Sequence, residues 1–282
     1  MTFYRISLAI GAAAVAFVTT LDKPARAADA SAWSQDSKSA VRLIAGSNGA
    51  GAGNGDALRA GIEVKLQPNW HTYWRYPGDS GVPPRFSFAG SDNIKAAKVS
   101  FPAPHLFSDE SGNSIGYKDS VIFPVEIVPK DPARPVIARL KIDYAVCEKL
   151  CIPAEGKAEL PMGAAPSTQD TALAAAEASV PKKVSATDIG LTARRVNDAA
   201  KPLVAVDLKS NGDAPVAIFV EGPSPEWALP VPKPAQGAPA GHRQFGFELD
   251  GLPPGLSPKG SYDLTFTVVE GGRAFEVTTH LD

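Results

Sequence analysis

The stretch Val136-Ile-Ala-Arg-Leu-Lys-Ile-Asp-Tyr-Ala-Val-Cys147-Glu-Lys-Leu-Cys151-Ile-Pro153 decides how this chain is read. Val136 to Val146 has the β-branched, alternating character of a strand. Cys147 and Cys151 are the chain's 2 cysteines. On one straight strand their Cα atoms would stand about 13 Å apart, at ~3.3 Å per residue. A disulfide needs roughly 5.5 Å. Pairing therefore demands a turn, with Glu148-Lys149-Leu150 as a three-residue hairpin tip and the cysteines facing across it. A helical turn would also bring them close, but Val146 and Pro153 argue against a helix.

A bridge over so short a loop is a poor staple. The chain-entropy estimate is roughly 2 kcal/mol for about five residues, against nearly 5 for a long loop. A chain of this size does not depend on that help. The pair thus points to redox chemistry or to a soft metal rather than to stability.

Outward from the cysteines, short strand-like runs recur between Gly/Pro-rich turns: Ala40 to Ala45, Gly61 to Leu66, Pro84 to Phe88, Lys95 to Phe101 and Val121 to Val128. After Leu160 the composition shifts. Asp170 to Ala178 is Ala-rich and predicts one short helix, capped near Ser167 or Thr168 and stopped before Pro181. Strands resume at Leu203 to Leu208, Ala214 to Val220, Gln244 to Leu249, Tyr262 to Val269 and Ala274 to His280. The expected architecture is all-β, two β-sandwich domains joined by a partly helical connector. The boundaries are 28–165 for the first domain, 166–183 for the connector and 184–282 for the second domain. The Gly-rich Ser47 to Asp56 lacks a phosphate-binding fingerprint, and no helix comes after it.

Residues 1–27 read as a secretory signal peptide: Arg5, an apolar Leu8 to Val18, then Ala25-Arg26-Ala27 as cleavage site. The apolar run is short for a membrane anchor. An exported chain meets an oxidising compartment, where close cysteines form disulfides. Removing Arg5, Lys23, Arg26 and Asp22 from 28 basic and 30 acidic residues leaves 25 and 29, a net charge of about −4. That balance argues against nucleic acid and anionic membrane surfaces as partners, and no stable membrane insertion is expected of the mature chain.

A second signal is Trp70-His-Thr-Tyr73-Trp74-Arg-Tyr-Pro-Gly-Asp-Ser-Gly-Val-Pro-Pro84. Alternation puts Trp70, Thr72 and Trp74 on one face, which suits core packing; the other reading has some of these rings wall a site. Asp79, Asp109 and Glu110 read as ordinary loop acids. Neither a G-x-S-x-G elbow nor an H-E-x-x-H motif is present, which leaves a hydrolase without support.

Three motifs occur in order: W-H-T-Y-W-R-Y-P-G-D-S-G-x-P-P, the Gly116 to Val125 stretch G-Y-K-D-x-V-x-F-P-V, and the Tyr144 to Pro153 stretch Y-x-V-C-x-x-x-C-I-P. Together they resemble the N-terminal periplasmic domain of DsbD-type thiol:disulfide interchange proteins. The likeness is closest to the ScsB-like branch, well over 36–161 and more weakly over 184–282. The resemblance implies an immunoglobulin-like fold, a location in the periplasm, an association with copper tolerance, and Cys147 and Cys151 as the electron-carrying pair. It implies a membrane-embedded thiol reductase as donor and soluble periplasmic thioredoxin-like proteins as acceptors, on separate chains here, with no cofactor. It also implies a cap loop over the cysteines, between Leu106 and Tyr117, with Phe107, Asp109, Glu110 and Tyr117 as cap or partner-facing residues. Ser111, Gly112 and Asn113 stand where the family has aromatic residues, so Phe107 or Tyr117 is expected to shield instead.

Two rival readings stand beside this one. Cys147 and Cys151 with His71 or His105 could hold Cu(I), since soft thiolates favour it. Alternatively, the chain is a β-sandwich interaction module with an idle disulfide. Near the cysteines, Lys149 is opposed by Glu148 and no helix N-terminus is expected, so the pair reads as a modest nucleophile suited to a shuttle. Tyr144 reads as sheet packing.

Overall fold

A computed structural model describes residues 28–47, 57–79, 81–109, 112–163, 166–196, 201–210 and 212–282. The proposed signal segment, most of the Gly-rich loop and Glu110 lie outside the described residues. The fold is all-β. Its first half contains β1 (Ser34–Gln35), β2 (Ser39–Ala45), β3 (Leu58–Leu66), β4 (His71–Gly78), β5 (Arg85–Ser87), β6 (Ile94–Val99), β7 (His105–Asp109), β8 (Gly112–Lys118), β9 (Ser120–Pro129), β10 (Val136–Cys147) and β11 (Cys151–Met162). They form two sheets, ordered β1-β2-β3-β9-β6 and β11-β10-β4-β8-β7, with β5 also paired to β10.

The two sheets bury one core between them. Leu43, Ile62, Phe123 and Ile127 come from the first sheet and Trp74, Ile115, Ile142 and Leu160 from the second. Each such burial contributes about 1.5–3 kcal/mol. Strand β10 shows how sequence sets this orientation. Val136, Ala138, Leu140, Ile142 and Tyr144 point inward, while Arg139, Lys141 and Asp143 point out. A one-residue slip would invert every one of these side chains. The alternation then stops, because Ala145, Val146 and Cys147 are all buried. At that end something covers the outer face as well.

The second half contains α1 (Asp170–Ala178), β12 (Lys182–Lys183), α2 (Ala186–Ile189), β13 (Leu191–Arg195), β14 (Leu203–Lys209), β15 (Val216–Glu221), β16 (Lys233–Pro234), β17 (His242–Glu248), β18 (Tyr262–Glu270) and β19 (Arg273–Leu281). Its sheets run β12-β19-β18-β15 and β13-β14-β17-β16. Val204, Val206, Phe245 and Phe247 face Ile218, Phe266, Val268 and Val277 in a separate core.

Helix α1 is more than a tether. Leu173, fully buried, seats against Gly61, where an added Cβ would come within 2.7 Å of it. Arg59 on β3 donates to Glu177 at 2.9 and 2.8 Å and to Asp170 at 3.2 Å. The helix N-cap is Gln169, whose amide donates to Ser167 Oγ at 2.9 Å, in place of the Ser167 or Thr168 cap read from sequence. At the other end of the connector, Lys182–Lys183 pairs in parallel with β19. Each end of the connector is thus fastened to a different half.

Candidate functional site

The β10–β11 ladder runs in unbroken register from Val136↔Met162 to Cys147↔Cys151. It leaves Glu148, Lys149 and Leu150 as the tip. The cysteines are bonded, with Cα atoms 4.1 Å apart. Their environments differ: Cys147 is 8% exposed, whereas Cys151 is open to solvent. Cys147 also faces His71 across the next strand pair, and His71 faces Lys118 on β8. One row across the sheet therefore reads Cys151, Cys147, His71, Lys118, all on the outer face.

Tyr73 is what covers that face. It packs with Ala145 and Cys147 and is fully buried. Its hydroxyl lies 2.9 Å from Cys151 Sγ. Gly81 lies flat on its ring: a Cβ there would meet the ring at 2.4 Å, and the backbone has a φ of +144°. His71 is held between two rings, edge-on to Tyr73 at 5.4 Å and stacked on Phe107 at 5.0 Å. The aromatic motif thus divides. Trp74 and the partly buried Trp70 pack toward the core, and Tyr73 reaches the sulfur.

The segment expected to cap the cysteines forms a hairpin, β7 with β8. Phe107 stacks on His71. Tyr117 cannot shield the disulfide. It pairs with Thr72, which pairs with Val146, and that row faces the core, one residue out of phase with Cys147. Its hydroxyl donates to the Pro102 carbonyl at 2.8 Å, and burial pushes its pKa well up. The backbone of Asp109 lies in β7 opposite Gly112. His105 is exposed on β7, opposite Gly116. Asp79 ties β4 to β8 by accepting from the Asn113 amide at 2.9 Å. Tyr144 is buried in the core beside Ser39 Oγ, at 2.6 Å. Among the described residues no group of three or more His, Cys, Asp or Glu is arranged to hold a metal ion. No helix among them is long and apolar enough to cross a membrane.

Sequence reasoning missed the roles of the residues just after Tyr73. Arg75 donates to Glu221 at 2.7 and 2.9 Å and to Glu276 at 2.6 Å, both on strands of the second half. Burial would lower its pKa, but the two carboxylates more than offset this and hold it above the usual range. Tyr76 donates to the Leu229 carbonyl at 2.6 Å, and Trp74 meets Phe219 at 5.8 Å. The signal lies in the Arg and Tyr that interrupt an otherwise core-like run. Their partners, about 150 to 200 residues away, are not readable from it.

The first half is thus a β-sandwich that carries one close-spaced disulfide on a hairpin, between a buried and an exposed cysteine. Residues 41–162 match the family described as "Thiol:disulfide interchange protein DsbD, N-terminal". Among solved structures, the N-terminal periplasmic domain of ScsB from Proteus mirabilis superposes with a TM-score of 0.69 at 20% identity, over 90% of this chain and 98% of that one. A chimeric titin Z1Z2 is also matched, at a TM-score of 0.18 and 10% identity over 91% of this chain and 97% of that one, too low to inform the fold. No curated protein sequence matches the chain.

Proposed function

We propose that the chain relays electrons by thiol–disulfide exchange in the periplasm. It would take them from a membrane-embedded thiol reductase and pass them to soluble thioredoxin-like proteins. The observation that carries this is the unequal exposure of Cys147 and Cys151 across one short loop. In the charging step a donor thiolate attacks Cys151 Sγ, and Cys147 leaves as a thiolate and takes up a proton. The donor's second thiol then attacks the mixed disulfide, which frees Cys151 and leaves the donor oxidised. Two electrons and two protons have moved to the pair. Discharge runs the same steps in reverse, with the exposed Cys151 bonding the acceptor and Cys147 resolving it.

Phe107 over His71 screens the inner side of the pair, and Leu150, 72% exposed at the tip, offers an apolar contact beside the reacting sulfur. We assign residues 1–27 to a cleaved export signal, 28–165 to the redox domain, 166–183 to the connector and 184–282 to the second sandwich. The test is trapping. A Cys147→Ser chain, keeping Cys151, should accumulate a mixed disulfide with a thioredoxin-like protein that lacks its resolving cysteine. The Cys151→Ser chain should accumulate little. Absence of an adduct with either variant counts against the relay.

A further inference from the structure

Strand β4 carries an interruption. Its pairing with β8 holds from His71↔Lys118 to Tyr73↔Gly116, then shifts, and resumes at Gly78↔Ser114. Trp74 to Pro77 on β4 there stand against Ile115 alone on β8, and irregularities of the bulge type re-aim side chains beside functional sites. The bulged residues have lost part of their ladder, and other groups hold them. Trp74 meets Phe219, and the Arg75 guanidinium lies 4.5 Å over the Trp74 ring while it forks onto Glu221 and reaches Glu276. Tyr76 closes on the Leu229 carbonyl. Phe219 and Val231, both from the second half, belong to the core of the first. The residue immediately before this segment is Tyr73, whose hydroxyl touches Cys151 Sγ.

We infer that the second half is a brace for the redox site: its Glu221, Glu276 and Leu229 carbonyl hold the bulged part of β4, and so fix where Tyr73 meets Cys151. Arg75 is a positioning residue acting through Tyr73. A carboxylate pair on a planar guanidinium fixes orientation as well as distance. Arg75 is half-buried, so water does not replace the fork without cost. This gives the second sandwich, which contains no cysteine, a role in the chemistry of the first. The inference rests on reading Cys147–Cys151 as the exchange site.

The experiment uses the full chain. The rate of disulfide reduction by dithiothreitol and the equilibrium with glutathione are measured for four proteins: the parent, Arg75→Lys, the double variant Glu221→Gln with Glu276→Gln, and the surface control Lys201→Ala. The double variant should change the reduction rate by about five-fold or more and move the glutathione equilibrium. Arg75→Lys keeps the charge but not the fork and should fall between it and the parent. Lys201→Ala should match the parent. A contact that only stabilises the fold would lower the melting temperature and leave rate and equilibrium unmoved. Where the double variant unfolds, Tyr76→Phe carries the same test, since it removes one hydroxyl and keeps the ring. Values within two-fold of the parent for folded variants overturn the brace while the parent still exchanges. A parent that exchanges with neither reagent overturns the redox reading and the brace with it.

Discussion

Two hairpins in this molecule solve the same problem differently. β18 and β19 are joined by Gly271-Gly272, both at positive φ, with Glu270 opposite Arg273 and an ion pair of 2.8 Å across the turn. That is the primed-turn chemistry that matches strand twist and fixes register without a cross-link. β10 and β11 are longer, yet their tip is Glu148-Lys149-Leu150, with no glycine, and a disulfide spans its base. The second half shows that a hairpin here closes without a bridge. The first half gave up turn chemistry and placed a breakable bond there, one sulfur buried and one exposed. The bridge is therefore better understood as a reactive group held by a hairpin than as a clasp that holds the hairpin.

The largest effect should come from removing the bond. Cys147→Ser with Cys151→Ser should abolish two-electron exchange with dithiothreitol, monitored by mass change on alkylation. Unfolding in urea should show a loss of about 2 kcal/mol or less. A collapse of the fold would make the bridge a clasp after all. The reciprocal change acts on the glycine turn. At Gly272 nothing lies within 4 Å of a new Cβ and φ is 81°, so Gly272→Val meets backbone strain alone. It should cost about 1–3 kcal/mol, read from thermal melts of the full chain, with the rate of disulfide exchange kept.

A smaller effect is expected at Tyr73. Tyr73→Phe keeps the ring under Gly81 and removes the hydroxyl beside Cys151 Sγ. Stability should fall by about 0.5–1.5 kcal/mol, and the reduction rate should shift while the urea m-value stays fixed. An unchanged rate would reduce Tyr73 to packing. The smallest effect concerns pH. At the open end of the glycine hairpin, His280 Nδ1 lies 2.8 Å from Asp263. That hydrogen bond first, then the charges of Asp282 and Asp263, raise its pKa above 6.5 despite desolvation. A raised pKa contributes stability that is full below 6.5 and is lost as pH rises through the folded value. Amide exchange at Leu264 and Thr279, corrected for intrinsic rate, should show this end loosening from pH 6 to 8. The Cys147–Cys151 hairpin lacks that pair and should not follow the same titration.

The strands of both halves are legible in the sequence because alternation and turn residues are local. So is the hairpin tip, since the reach of an extended chain cannot join Cys147 to Cys151 otherwise. Three features are not legible. The β7–β8 hairpin reads as a loop, since Ser108 to Asn113 is polar apart from Gly112. Tyr117 reads as a shield for the disulfide because sequence gives spacing but not which face β8 presents. The Arg75 clamp is invisible because it joins residues 146 and 201 positions apart, and pattern within one strand says nothing about partners at that range. Of the candidate site, spacing alone finds the cysteines. Tyr73 stands out among the aromatics, but its separation from Trp70 and Trp74 needs the register.

That range has a consequence for the order of assembly. Contacts between distant parts of a chain close late, after local hairpins have formed, because loop entropy must be overcome first. The β10–β11 hairpin needs only neighbouring residues and can bring its two thiols together early. The Arg75–Glu276 bond needs β4 and β19 both in place. Oxidation of the pair can therefore precede completion of the clamp. The disulfide of a newly folding chain should pass through a period of unbraced, altered reactivity that ends when the second half docks.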